Sequence, residues 1–146
     1  MNDDLTAKAS VTIHAPVAKV WDALVNPHVI KRYMFGATVV SDWKEGSPIV
    51  WKGEWKGQPF EDKGRILDLR PEERLRYTHF SPLSGAPDKP ENYHQVTIEL
   101  SRQDGQDDNV RVDLSQDNNK TAKARDESQR NWATMLDGIK KVVEEA

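Results

Sequence analysis

Residues 121–145 read TAKARDESQRNWATMLDGIKKVVEE, and this stretch decides the fold. Trp132, Met135, Leu136, Ile139, Val142 and Val143 recur at steps of three and four, which is one apolar face at the helical period. The spacing predicts one long closing helix. Only its C-terminal half carries the stripe. The N-terminal half, from Ala124 to Asn131, offers small or polar residues on the same side. A helix that is apolar along half its length must pack on something dry at one end and polar or open at the other. A curved sheet with a cavity beneath the helix meets that demand.

The chain before the helix reads mainly as strands. Leu5, Ala7, Ala9, Val11 and Ile13 alternate with polar residues, the pattern of a half-buried strand. Pro16 sits where a first helical residue would, with Val17, Val20, Trp21 and Leu24 as the apolar face that follows. Asn26-Pro27 ends that helix and lets Asn26 cap a second short one, to about Arg32. Strands are expected at Thr38 to Ser41, at Ile49 to Trp55 and, after a tight turn at Lys56-Gly57, at Pro59 to Leu69. The alternation of the last breaks near Lys63-Gly64, which suggests a bulge there and leaves its faces unassigned. Leu75, Tyr77 and His79 share one face of the next strand. His94, Val96, Ile98 and Leu100 share a face of the one after, and Val110, Val112, Leu114 and Gln116 a face of the last. The order is β, α, α, about six β, α, with no linker, repeat or low-complexity segment. One α+β domain over 1–146 is expected, an antiparallel meander wrapped round the closing helix.

Composition narrows the classes. The 146 residues suffice for one core. Hydrophobic content is only 36%, and five Trp partly compensate because each can bury a large apolar area. Twenty-one Lys plus Arg stand against 24 Asp plus Glu, a net charge of −3, which gives no footprint for nucleic acid or an anionic membrane. With no Cys, disulfides, zinc–thiolate sites and Cys nucleophiles are excluded. No apolar run approaches a membrane span, and Met1-Asn2-Asp3-Asp4 lacks a signal segment, so a cytoplasmic protein is expected.

The segment Ala15-Pro16-Val17-Ala18-Lys19-Val20-Trp21-Asp22-Ala23-Leu24 with Asn26-Pro27 resembles a known family. So do Gly64-Arg65-Ile66-Leu67-Asp68-Leu69-Arg70-Pro71 with Arg74-Leu75-Arg76-Tyr77-Thr78, and Trp132-Ala133-Thr134-Met135-Leu136 with Ile139. They follow in family order over nearly the whole chain. The chain resembles the helix-grip fold of the START-like (SRPBCC) superfamily, and within it the "activator of heat-shock-protein ATPase homologue" family. The resemblance implies a curved sheet of about six to seven strands around a long C-terminal helix, with two short helices after the first strand. It also implies an internal pocket for a small, mainly apolar molecule. Its relatives include ligand carriers, aromatic-polyketide cyclases and hormone receptors, so the fold alone does not fix a function.

Candidate residues follow from register. Pairing Leu75 with Ile98 and Tyr77 with Val96 sets His79 opposite His94. Pairing Ile98 with Val112 and Val96 with Leu114 sets His94 opposite Gln116. Three hydrogen-bonding side chains then line one end of the concave face, as orienting a ligand in an apolar pocket requires. A slip of one residue would turn the histidines out to water. Trp51 and Trp55 either stack on a ligand as cavity wall or fill core under the helix. Trp21 and Trp132 are assigned to core. Tyr33-Met34-Phe35-Gly36 is either a mouth of the cavity or a helix end tucked into the core. Ser128, on the polar half of the closing helix, either closes the cavity or faces solvent. The four His show no metal-ligand spacing, and no cofactor loop is present, so neither metal nor cofactor is expected.

These readings point first to binding of a small hydrophobic or aromatic molecule at Trp51, Trp55, Tyr77, His79, His94, Gln116 and Ser128. The alternatives are a co-chaperone-like interaction module acting on a heat-shock ATPase, and a cyclase- or dehydratase-type enzyme using His79 or His94 as acid–base group. No paired carboxylates or nucleophile–base pair can be read for the last.

Overall fold

The computed structural model describes residues 5–34, 36–55, 57–82, 85–103, 105 and 108–145. The elements run β1 (Ala7–Ile13), α1 (Val17–Val25), α2 (Pro27–Tyr33), β2 (Thr38–Ser41), β3 (Pro48–Trp55) and β4 (Gln58–Arg70). They continue with β5 (Arg74–His79), a 3₁₀ turn (Pro90–Asn92), β6 (His94–Arg102), β7 (Val110–Gln116) and α3 (Ala122–Glu145). Every neighbouring pair in the sheet is antiparallel, in the order β1-β7-β6-β5-β4-β3-β2. This is the expected α+β helix-grip architecture, with seven strands. Among the described residues, no helix is long and apolar enough to cross a membrane.

The helix stripe does what its spacing demands. Leu136, Ile139 and Val143 are buried, and Trp132, Met135 and Val142 pack on the core beside them. The Thr121 hydroxyl accepts the Ala124 N–H at 3.0 Å and caps the helix. Asn26 caps α2 as expected, accepting the His28 N–H at 3.0 Å. Pro16 stands one place earlier than expected, as the N-cap of α1.

Gly138 interrupts α3 opposite α2 rather than over the sheet. A Cβ there would lie 3.4 Å from Tyr33 Cβ, an ordinary contact. Gly138→Ala is therefore expected to stabilise the protein by up to about 1 kcal/mol through helix propensity. A raised denaturation midpoint at unchanged m would show it.

Two sequence expectations are corrected here. The bulge lies at Leu67, between the pairs Ile66–Tyr77 and Asp68–Arg76, not at Lys63-Gly64. Leu67 is pushed outward, and the inward positions step from Ile66 to Leu69. Gly64 marks a different irregularity. There β4 approaches β5 so closely that a Cβ would fall 1.7 Å from the Thr78 carbonyl oxygen. The Arg65 N–H donates to Thr78 Oγ1 at 2.9 Å instead of joining a regular ladder.

The β6–β7 register is the second correction. Gln116 stands opposite Val96, Leu114 opposite Ile98, and Val112 opposite Leu100. That is two residues from the expected pairing. A two-residue shift leaves every side chain on its own face, so apolar alternation cannot reveal it. The connection between the strands sets it: Arg102 pairs with Val110, and the Gln103 N–H donates to the Asn109 carbonyl at 2.8 Å. Asp104, Gln106 and Asp107 of the expected turn lie outside the described residues.

Candidate functional site

Where the apolar stripe of α3 gives out, the helix leaves a cavity of about 240 Å³ over the sheet. Trp51 comes from β3, Phe60 and Asp62 from β4, and Tyr77 and His79 from β5. Asn131, Trp132 and Met135 come down from α3. Tyr33, Met34 and Ala37 close the side at the end of α2. A further void of about 30 Å³ continues inward under Trp43, Ile49 and Leu75. Trp43 adopts a left-handed backbone (φ 55°), with its N–H bonded to Ser41 Oγ at 3.1 Å.

Local pairing explains why these side chains meet. Trp55 pairs with Gln58 at the end of the β3–β4 ladder, and that register sets Trp51 opposite Asp62. The β5–β6 register is the expected one, with Tyr77 opposite Val96 and His79 opposite His94. Trp51 thus lies between two neighbours. Its ring centre is 5.2 Å from that of Tyr77 and 5.0 Å from that of His79, the latter edge-on. His79 Nε2 lies 2.9 Å from Asp62 Oδ2. With a carboxylate as acceptor, Nε2 carries the proton. Asp62 Oδ1 is buried without a hydrogen-bond partner among the described residues.

Burial holds the phenols of Tyr33 and Tyr77 well above the usual tyrosine range, and for Tyr33 the nearby Tyr77 adds to the effect. Both stay neutral. Tyr33 spends its hydroxyl on the Ala23 carbonyl at 2.7 Å. The Tyr77 hydroxyl makes no hydrogen bond among the described residues.

Of the residues singled out from the sequence, the structure brings Trp51, Tyr77 and His79 together on the cavity wall. His94 stacks on His79 with ring centres 6.4 Å apart, but its Nδ1 is spent on the Asp117 carbonyl at 2.8 Å and it lines no part of this cavity. Gln116 is buried opposite Val96 rather than His94, so the expected three-residue polar layer does not form. Its Oε1 accepts the Trp132 indole N–H instead and holds that ring in place. Ser128 is turned to the strand ends, donating to Asn119 Oδ1 at 3.1 Å. The side chain of Trp55, and all of Phe35, lie outside the described residues.

Sequence reasoning missed Asp62, Phe60 and the exposure of Trp132 to the cavity. The signal for Asp62 was available: a two-residue hairpin at 56–57 fixes Asp62 opposite Trp51 and hence on the same face. Assigning Trp132 to core was half right. It packs on the core, is only partly buried, and forms a cavity wall.

The comparisons agree with this architecture. The profile of the family described as "Activator of Hsp90 ATPase homolog 1-like protein" matches residues 14–144. A solution structure of a Cytophaga hutchinsonii protein is 58% identical, over 97% of this chain and 94% of its own, with a TM-score of 0.83. The fold is shared with two more distant proteins. A Colwellia psychrerythraea protein, described as an Aha1 dimer, is 18% identical over 95% of this chain and 96% of its own, with a TM-score of 0.72. A Plasmodium falciparum protein, described as an HSP90 activator, is 12% identical over 96% of each chain, with a TM-score of 0.74. No curated protein matches the chain. With the family profile spanning nearly the whole sequence and the helix-grip sheet beneath it, this chain belongs to the Activator of Hsp90 ATPase homolog 1-like family.

Proposed function

We propose that this protein binds a small, mainly aromatic molecule in the cavity between the sheet and α3. The observation that carries the reading is the cavity wall itself. It combines rings of Trp51, Phe60, Tyr77 and Trp132 with one polar pair, His79–Asp62. Such sites bind by apolar contact and orient by a few polar groups. An apolar cavity of about 150 Å³ is enough for benzene, so about 240 Å³ suits a bicyclic ring system.

The test is native mass spectrometry after incubation with a panel of bicyclic aromatics. One-to-one adducts are expected. Met135→Trp, which fills the space from α3, should remove them while leaving the protein folded. Adducts that persist in the variant would put the bound molecule elsewhere.

The family match and the Plasmodium neighbour support a second reading, an interaction with a heat-shock ATPase of the Hsp90 kind. Stimulation of such an ATPase by the purified protein would promote it. An unchanged rate at saturating protein would remove it.

A further inference from the structure

Asp62 is the odd residue in this cavity. A carboxylate among aromatic walls loses hydration, and a buried acceptor left without a donor costs further free energy. His79 engages only Oδ2; Oδ1 is buried and unpartnered among the described residues. No Lys or Arg stands among the described residues lining the cavity. The formal charge that the wall presents is therefore negative where Asp62 sits. The same wall carries the ring systems of Trp51, Phe60, Tyr77 and Trp132. Aromatic faces carry partial negative charge and attract cations, most strongly where water is excluded.

We infer that the ligand of this cavity is an organic ammonium, a protonated amine carried on an aromatic or apolar body. This rests on the cavity-binding reading and narrows it to one chemical class. The ammonium pairs with the Asp62 carboxylate on the cavity wall, of which His79 engages only Oδ2, as a charge-assisted hydrogen bond. The rings surround the cation, and the body of the ligand occupies the apolar end toward Met135. A neutral ligand would leave His79 as the one group paired with the Asp62 carboxylate among the described residues. An anionic one would be repelled by it.

Isothermal titration with three probes on one ring system tests this: naphthylethylamine, naphthylethanol and naphthylacetate. The amine should bind at least about tenfold more tightly than the alcohol, and the acetate should not bind measurably. Asp62→Asn keeps the shape and removes the charge. It should bring the amine down to the affinity of the alcohol and leave the alcohol unchanged. Trp132→Leu, which removes one ring, should weaken the amine more than the alcohol and serves as a second variant if Asp62→Asn does not fold. An alcohol that binds as tightly as the amine would overturn the ammonium class while the cavity reading stands. An amine preference that survives in both variants would overturn the assignment to Asp62 and the ring wall. Failure of all three probes to bind would overturn the cavity reading and this inference with it.

Discussion

Replacing Gly64 with alanine is expected to cost about 3 kcal/mol or more, enough to unfold much of the protein. The reason is space. The added Cβ would lie 1.7 Å from the Thr78 carbonyl oxygen and 2.6 Å from its carbonyl carbon. Both contacts are to backbone, so no side-chain rotation relieves them. Relief requires moving β4 away from β5. That would pull apart the Arg65 N–H to Thr78 Oγ1 bond and the Lys63–Phe80 bridge next to it. Asp62 and His79 sit on the same two strands, so the cavity wall would be lost along with stability. Gly46→Ala is the contrast. Nothing lies within 4 Å of a Cβ at Gly46, whose φ of 86° only disfavours a side chain. That change should cost about 1–2 kcal/mol. Urea denaturation of the two variants separates the effects, and equal midpoints would refute the close approach at Gly64.

Asn119→Ala is expected to cost about 2–4 kcal/mol, as the loss at once of three hydrogen bonds, one buried and two partly buried. Asn119 is 4% exposed. Its amide donates to the Leu5 carbonyl at 2.8 Å and to the Gln116 carbonyl at 3.1 Å, and its Oδ1 accepts from Ser128 at 3.1 Å. One side chain thus ties the approach to β1, the end of β7 and the polar half of α3. Alanine would leave the Gln116 carbonyl and the Ser128 hydroxyl short of a partner. It would also loosen the segment that holds Gln116 against the Trp132 indole, so probe affinity should fall together with melting temperature. Ser128→Ala, which removes only one of these bonds, should cost about 1 kcal/mol or less. If both variants melt together, Asn119 is not the tie.

The sequence carried the fold through periodicity. The α3 stripe, the alternation of β1 and β7, and the inward set of β5 and β6 each follow from one apolar face per element, and each is where the pattern puts it. The site was less legible, for two physical reasons. Alternation has period two, so it fixes a strand's face but leaves its register free to shift by steps of two. Gln116 therefore kept its face and lost its expected partner. A helix stripe, likewise, tells which side of the helix faces the sheet and not whether the sheet fills the space beneath. Trp132 looks like core by spacing and becomes cavity wall because the facing positions leave room. Asp62 was hidden by the expected break at Lys63-Gly64. Alternation in fact runs on through Phe60, Asp62 and Ile66 to the bulge at Leu67. The polar partners of Ser128 and Gln116 lie across the connection from β7 to α3, beyond the reach of either element's periodicity, and no local pattern announces them.

Uptake of an aromatic molecule into the space between α3 and the sheet is the function proposed for this protein. Nuclear magnetic resonance of the tryptophan indole N–H groups, followed through a titration with naphthylethanol, tests it most directly. Trp51 and Trp132 line the cavity, whereas Trp21 packs on the core from α1. The Trp51 and Trp132 signals should move and saturate together while the Trp21 signal stays. Signals that do not move at saturating probe, or a shift confined to Trp21, would contradict it.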